Sequence, residues 1–396
     1  MSRPSCALPA QLPPAAAVRA LRRAAGFVRR ALPLCRAHTV EFFTRGLWER
    51  LVAPRPDAVL EALRAAGPLA RPLAAGSGAA AAPCDDDIFS SVFCENSEKL
   101  VNVHLFALAA KYYSLSNLGV CTPLEDVLEA LKGDSEGATG IKPDEFMNNK
   151  KSHEVQMMSE LVDSIANYCG IKQDCMMVGL HTCGDLAANT LRIFTAKPEI
   201  KAVCSVGCCY HLLSEQFENQ EECHDQVWGF PMCQYLKDKG WCCGRNARMS
   251  ACLALERVAV GQMLPTESLF YRAVLQVIIE EIYGVTKSDR HVGKTFSKSS
   301  SFVDYVRRSL KKLELDDSKL LDSCIMDYYE KYKHRMNELE AFNMLKVVLA
   351  PCIEVLILLD RLCYLKEQEN IAWSGLVKLF DPVKSPRCYA VIALKN

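Results

Sequence analysis

The sequence predicts an α/β fold with large helical additions, on three observations. Two short apolar runs, Met176–Leu180 and Ala202–Val206, each stop at a turn signal and flank a helical interval. Two further β-type runs, Leu376–Phe380 and Cys388–Leu394, lie near the end of the chain. Long stretches on either side of the first pair place apolar residues at helical spacing.

The first pair and its helix fit within about 30 residues, the size of a βαβ unit, so the strands should be parallel neighbours. The helix is expected from about Asp185 to Phe194, with Asp185 placed to cap it. Both carboxyl ends then lie side by side. One carries His181, Thr182, Cys183, Gly184 and Asp185; the other carries Gly207, Cys208, Cys209, Tyr210 and His211. Open α/β sheets bind ligands outside the carboxyl ends of their strands, so this polar, reactive cluster is the candidate site. The loop Asp381–Arg387 is of hairpin length, so the terminal pair should be antiparallel.

From the N-terminus, residues 1–40 contain no Asp or Glu but carry Arg3, Arg19, Arg22, Arg23, Arg29, Arg30 and Arg36. Such a start can be a mitochondrial transit peptide. An ordinary helix over Ala15–Leu34, continuing through Val40–Leu51, fits better, because its pattern runs past any plausible cleavage point. Residues 1–63 thus form a helical region. Residues 64–87, rich in Ala, Gly and Pro, read as a linker. Its Gly76-Ser-Gly78 follows no strand and is not a cofactor loop.

A second helical region, 88–149, holds a helix over 88–117, a short one over Leu124–Leu131 and a polar loop. The remainder, 150–396, opens with a helix over Ser152–Tyr168 and carries a helical insertion at about 245–370. Expected helices there are Asn246–Val260, Glu267–Tyr283, Phe302–Leu313 and Ile325–Gln368. Within the last, Phe342–Leu362 is interrupted by Lys346, Pro351, Glu354 and Asp360. It falls short of the roughly 20 apolar residues that a membrane span requires. It reads as a buried helix, kinked near Pro351.

The net charge is zero, so nothing global argues for nucleic acid. The 20 cysteines include no C-x-x-C pair, and residues 1–30 hold no secretory signal. The expected product is an intracellular protein, cytoplasmic or nuclear, with reduced, buried thiols. Cys204, Cys208, Cys209, His211, Cys223, His224, Cys233, Cys242 and Cys243 raise a zinc-binding module as a further reading. Structural zinc sites use paired ligands at short regular spacing, and these pairs are adjacent or irregular, so no metal is assigned.

Several segments together resemble the methyltransferase-like protein 25 family. They are His153-Glu-Val155 on a helix, Gly179-Leu-His-Thr-Cys-Gly-Asp185, Ser205-Val-Gly-Cys-Cys-Tyr210, and the closing Leu358-Leu-Asp-Arg-Leu362 and Ser385-Pro-Arg387. The segment Phe42–Glu49 is similar as well. The resemblance implies a class I, Rossmann-like methyltransferase fold with an antiparallel last strand, and S-adenosylmethionine as cofactor. It implies that His181 and Cys183 orient the accepting group, His181 as a general base, since imidazole titrates near neutral pH. Asp185 would hold the imidazole or cap its helix. His153, Glu154 and Gly184 would lie on the cofactor side. Gly207, Cys208, Cys209 and Tyr210 would form the loop facing the acceptor, with Gly207 allowing close approach and Tyr210 stacking on a ring.

One departure outweighs these agreements. The family leads from the His-Glu-Val helix into a first strand and a turn of the type Asp-x-Gly-x-Gly-x-Gly, whose glycines let backbone N–H groups approach the cofactor. Here Ile171-Lys-Gln-Asp-Cys175 runs straight into the strand at Met176. The first three strands and the Gly-rich turn are missing, as in a splice product or an incomplete gene model. The sheet should therefore be incomplete, with strand 176–180 an open edge. Methyl transfer should be weak or absent, with the acceptor (protein, RNA or small molecule) unspecified. The competing reading is a non-catalytic pseudoenzyme or interaction protein that binds a partner protein, with Arg245, Arg248 and Arg272 available to an anionic ligand.

Overall fold

A computed structural model describes residues 8–65, 89–132, 148–170, 175–218, 227–262, 264–285 and 292–395. Its centre is a mixed sheet of five strands: β1 (Cys121–Thr122), β2 (Cys175–Cys183), β3 (Ile200–Cys208), β4 (Ile371–Lys378) and β5 (Tyr389–Lys395). Their spatial order is β1-β4-β5-β3-β2. The β2–β3 pair is parallel, joined by the helix Asp185–Ala196, and β4–β5 is the antiparallel terminal hairpin. β5 also runs antiparallel to β3, which welds the hairpin to the βαβ unit.

The inner strands β3, β4 and β5 are largely buried on both faces, and the period-two alternation of their side chains assigns each residue to a layer. Val203, Leu376, Val391 and Ala393 join one cluster with the helix Met336–Lys366 and the N-terminal helix Pro14–Arg36. Ala202, Cys204, Val206, Trp373 and Ile392 face the other layer. There Met158, Leu161 and Ile165 of the helix Asn149–Tyr168 cover them.

The two members of the parallel pair differ in surroundings. β3 has a strand on each side, and every residue but Lys201 is buried. β2 is the edge, and most of it is exposed or half-buried; Val178 is 47% exposed. A parallel strand normally belongs inside a sheet with both faces covered. Among the described residues no strand pairs with its outer side, so β2 is an edge there as expected.

The helix Met336–Lys366 is long and apolar enough to cross a membrane by length and composition, yet its most apolar stretch is largely buried inside the fold. Two of its buried charged residues are partnered internally. Lys346 Nζ donates to Ala37 O at 2.7 Å, and the Asp360 carboxylate accepts the Met232 and Cys233 N–H groups.

Four expected helices are shorter than their patterns. Among the described residues of 88–117, the α-helix is confined to Val103–Tyr112, with a single 3-10 turn at Ser90–Val92 before it, because Asn102 caps the α-helix start by accepting the Leu105 N–H at 3.0 Å. The N-terminal helix does not continue through 40–51; the chain turns at Ala37, and Gly46 takes a left-handed φ of 53° before the short helix Leu47–Leu51. Asn246–Val260 splits into Arg245–Ser250 and Leu255–Ala259, and Arg387 takes the Ala251 and Leu253 carbonyls at the break. Ile325–Gln368 is two helices, Asp322–Lys333 and Met336–Lys366. Nearly all of the expected linker 64–87 with Gly76-Ser-Gly78, most of the polar loop 133–149, residues 171–174, and Cys223 and His224 lie outside the described residues.

Candidate functional site

At the end of β2 the register with β3 shifts between Leu180 and Thr182, and His181 sits in this bulge at a φ of 61°. A bulge re-aims one side chain while the ladder resumes beyond it. The His181 ring, 42% exposed, reaches back so that Nε2 lies 3.3 Å from Glu154 Oε2. Glu154 is buried in the first turns of the helix Asn149–Tyr168. Its other oxygen accepts the Ser385 hydroxyl at 2.6 Å and faces Lys150 Nζ at 3.4 Å. Burial alone would raise this carboxyl, but Ser385, Lys150 and His181 outweigh it and hold it below the ordinary range. The pair is thus an exposed imidazole backed by a buried carboxylate.

The other residues expected beside it take different tasks. His153 accepts the Asp381 N–H at 3.0 Å and packs on Phe380, so it braces the turn after β4. Asp185 neither touches His181 nor serves as the N-cap, which is Gly184. Its Oδ1 accepts the Ser214 N–H at 2.8 Å, tying the helix start to the loop beyond β3. Gly184 has a φ of 52°, and a Cβ there would meet Leu212 O at 2.6 Å.

The end of β3 is braced from below. A Cβ on Gly207 would lie 2.4 Å from Arg361 Nη1, so this glycine admits a buried guanidinium rather than a ligand. Tyr210 is 1% exposed and donates its hydroxyl to Glu354 Oε1 at 2.7 Å. Arg361 and Arg387 lie over its ring at 5.8 and 5.6 Å. Tyr210 is therefore enclosed and unavailable for stacking on an acceptor. Arg387 Nη1 pairs with Glu354 Oε1 at 3.1 Å. Arg248 is internal as well, held by Glu215 and Glu218, and Arg272 bonds Gln276. Arg245, the third arginine of that set, is exposed.

Between the strand ends, three sulfurs converge. Cys183 Sγ lies 3.1 Å from Cys208 Sγ and 3.4 Å from Cys209 Sγ. Cys209 holds a left-handed φ of 49° just beyond β3. Burial and the neighbouring thiols push the Cys208 and Cys209 thiols up, so both are protonated at neutral pH. Among the described residues no further member of the suspected zinc set joins this group, and His211 Nδ1 lies 3.7 Å from Cys252 Sγ. Cys204 packs against Met158 in the core, Cys233 and Cys243 are buried, and Cys242 sits against Glu215.

Ser385, Glu354, Arg361 and Arg387 were not singled out by residue type or spacing. Three of them lie in the closing segments Leu358–Leu362 and Ser385–Arg387, and that was the only available signal.

A family model described as a methyltransferase domain matches residues 145–216, which span Glu154, β2, β3 and all three cysteines. Two curated relatives, each named "Probable methyltransferase-like protein 25", align over nearly the whole chain. The Homo sapiens protein is 45% identical over 580 aligned residues, covering 93% of this chain and 96% of that protein. The Mus musculus protein is 43% identical over 574, covering 93% and 95%. Both alignments exceed the 396 residues of this chain, so each relative carries long segments opposite gaps here. No solved structure matches the chain significantly.

Proposed function

The chain belongs to the methyltransferase-like protein 25 family, and on that premise we propose that it is a shortened form. It keeps the acceptor-facing strand ends and lacks the half that holds a cofactor. The carrying observation is the position of β2 at an open edge of the sheet. Long segments of its relatives have no counterpart here, and a missing half-sheet beside β2 accounts for both facts.

Methyltransferase domains of this kind generally use S-adenosylmethionine. The residues present do not fit that group. No Gly-rich turn stands beside β2, and its outer edge is open. Glu154, which would lie on the cofactor side, is committed to Ser385 and His181. A groove of about 600 Å³ is lined by Arg29, Arg36, Arg45 and Arg50 among others, and none of the strand-end residues lines it. Methyl transfer by this chain is therefore weak or nil. His181, backed by Glu154, is the group that would take a proton from an acceptor in the complete family fold. Cys183 would be its neighbour on the acceptor side. The many free thiols suit a reducing compartment, cytoplasmic or nuclear.

Thermal unfolding with and without S-adenosylmethionine tests this reading. A ligand at about 100 times its dissociation constant stabilises by roughly 2.7 kcal/mol. The expected result is a cooperative transition that does not move. A clear upward shift would show that a pocket survives without the Gly-rich turn.

A further inference from the structure

We propose that Cys183, Cys208 and Cys209 form a three-thiolate zinc site at the carboxyl ends of β2 and β3, with a fourth coordination position open to solvent. The proposal does not depend on the chain's methyltransferase activity. Cys183 and Cys208 are register partners on the last rung of the parallel pair, so the ladder itself sets their sulfurs side by side. Cys209 follows directly, and its left-handed backbone turns its side chain back to the same point. All three sulfurs lie within 4.8 Å of one another.

Zinc bonds thiolate sulfur at about 2.3 Å, and tetrahedral angles then separate the sulfurs by about 3.8 Å. Two of the pairs now stand at 3.1 and 3.4 Å and would open by about 0.7 and about 0.4 Å on binding. Three protein ligands with one open position is the arrangement of an exchangeable rather than a closed zinc site. Binding displaces one proton from each neutral thiol that coordinates as thiolate.

Thiols that merely fill space in this protein look different. Cys35, Cys204 and Cys352 are each completely buried within the core. The trio sits at the rim, with Cys183 and Cys209 partly exposed, which gives an ion a path of entry. Spacing along the chain could not reveal this set, because one ligand comes from β2 and two from β3.

The full chain, purified under reducing conditions without chelator, should carry one zinc per molecule by elemental analysis. Cobalt substituted for zinc should give the intense near-ultraviolet charge-transfer absorption of thiolate ligands. C183S and C209S, both at partly exposed positions, should weaken zinc binding at least 100-fold, and C175S on the same strand should not change it. Should either serine variant fail to fold, the unmodified chain still decides. Zinc should then protect the thiols at 183, 208 and 209 from alkylation, and no others, as mapped on peptides. Retention of zinc in the C183S/C209S double variant, alkylation of these thiols unaffected by zinc, or a 183–208 disulfide in the freshly isolated protein would each overturn the assignment.

Discussion

Replacing Arg387 by Met should cost about 3–5 kcal/mol near neutral pH, the range for removing one partner of a buried ion pair. The pair qualifies as buried: the side chains of Arg387 and Glu354 are 12% and 10% exposed, and the contact is 3.1 Å. The guanidinium also takes the Ala251 and Leu253 carbonyls, which close the break between two short helices. Methionine fills similar volume, so the loss is electrostatic and hydrogen-bonding rather than a cavity. The dependence on pH has a definite sign. Burial raises the Glu354 carboxyl, and Arg387 is the main opposing charge, so without it the carboxyl rises further. A raised carboxyl contributes stability that is present below its ordinary range and lost as pH climbs through its folded value. The cost should therefore be smallest in acid and grow toward neutrality. Urea unfolding followed by far-ultraviolet circular dichroism, at about pH 5 and about pH 8, measures it, with Glu354→Gln completing a double-mutant cycle. A cost below about 1 kcal/mol, or the same cost in the Glu354→Gln background, would refute the coupling of these two residues.

Further outcomes follow from the same geometry. Gly184→Ala combines a backbone region that side chains avoid with a Cβ placed 2.6 Å from Leu212 O, and should cost about 3 kcal/mol by thermal or urea unfolding; a change within about 0.5 kcal/mol would mean that the loop after β3 is not packed there. Asp360 is fully enclosed and titrates at about 6 in the fold against an ordinary 3.8. It therefore contributes stability below its ordinary range that declines as pH rises toward about 6, on the order of 3 kcal/mol. Asp360→Asn should remove that decline from the urea midpoint between about pH 4 and pH 7, and an unchanged profile would assign it to other groups.

The elements that the sequence revealed are those whose signal is local. The βαβ unit from Cys175 to Cys208 and the terminal hairpin each announce themselves through a short apolar run and a turn, and the edge position of β2 follows from what fails to precede Met176. Helix ends were less legible, since Asn102 stops a pattern that apolar spacing alone would extend. The roles of the site residues depended on distant partners. Ser385 reaches Glu154 across 231 residues of chain, and Glu354 encloses Tyr210 across 144. Nothing near Tyr210 in sequence distinguishes a buried ring from one available to a ligand. Asp185 is similar: its acidic side chain before a helix suggested a cap or an imidazole partner. The nearer claimant was the Ser214 N–H, brought back by the turn after β3.

Hydrogen exchange along β2 tests the open edge most directly. An edge strand has half its amides without a ladder partner and opens locally before the core does. Peptides covering Cys175–Cys183 should exchange far faster than those covering Ile200–Cys208, and S-adenosylmethionine should leave both unchanged. Protection of β2 equal to that of β3 would mean that another strand covers it, and the shortened-sheet reading would be contradicted.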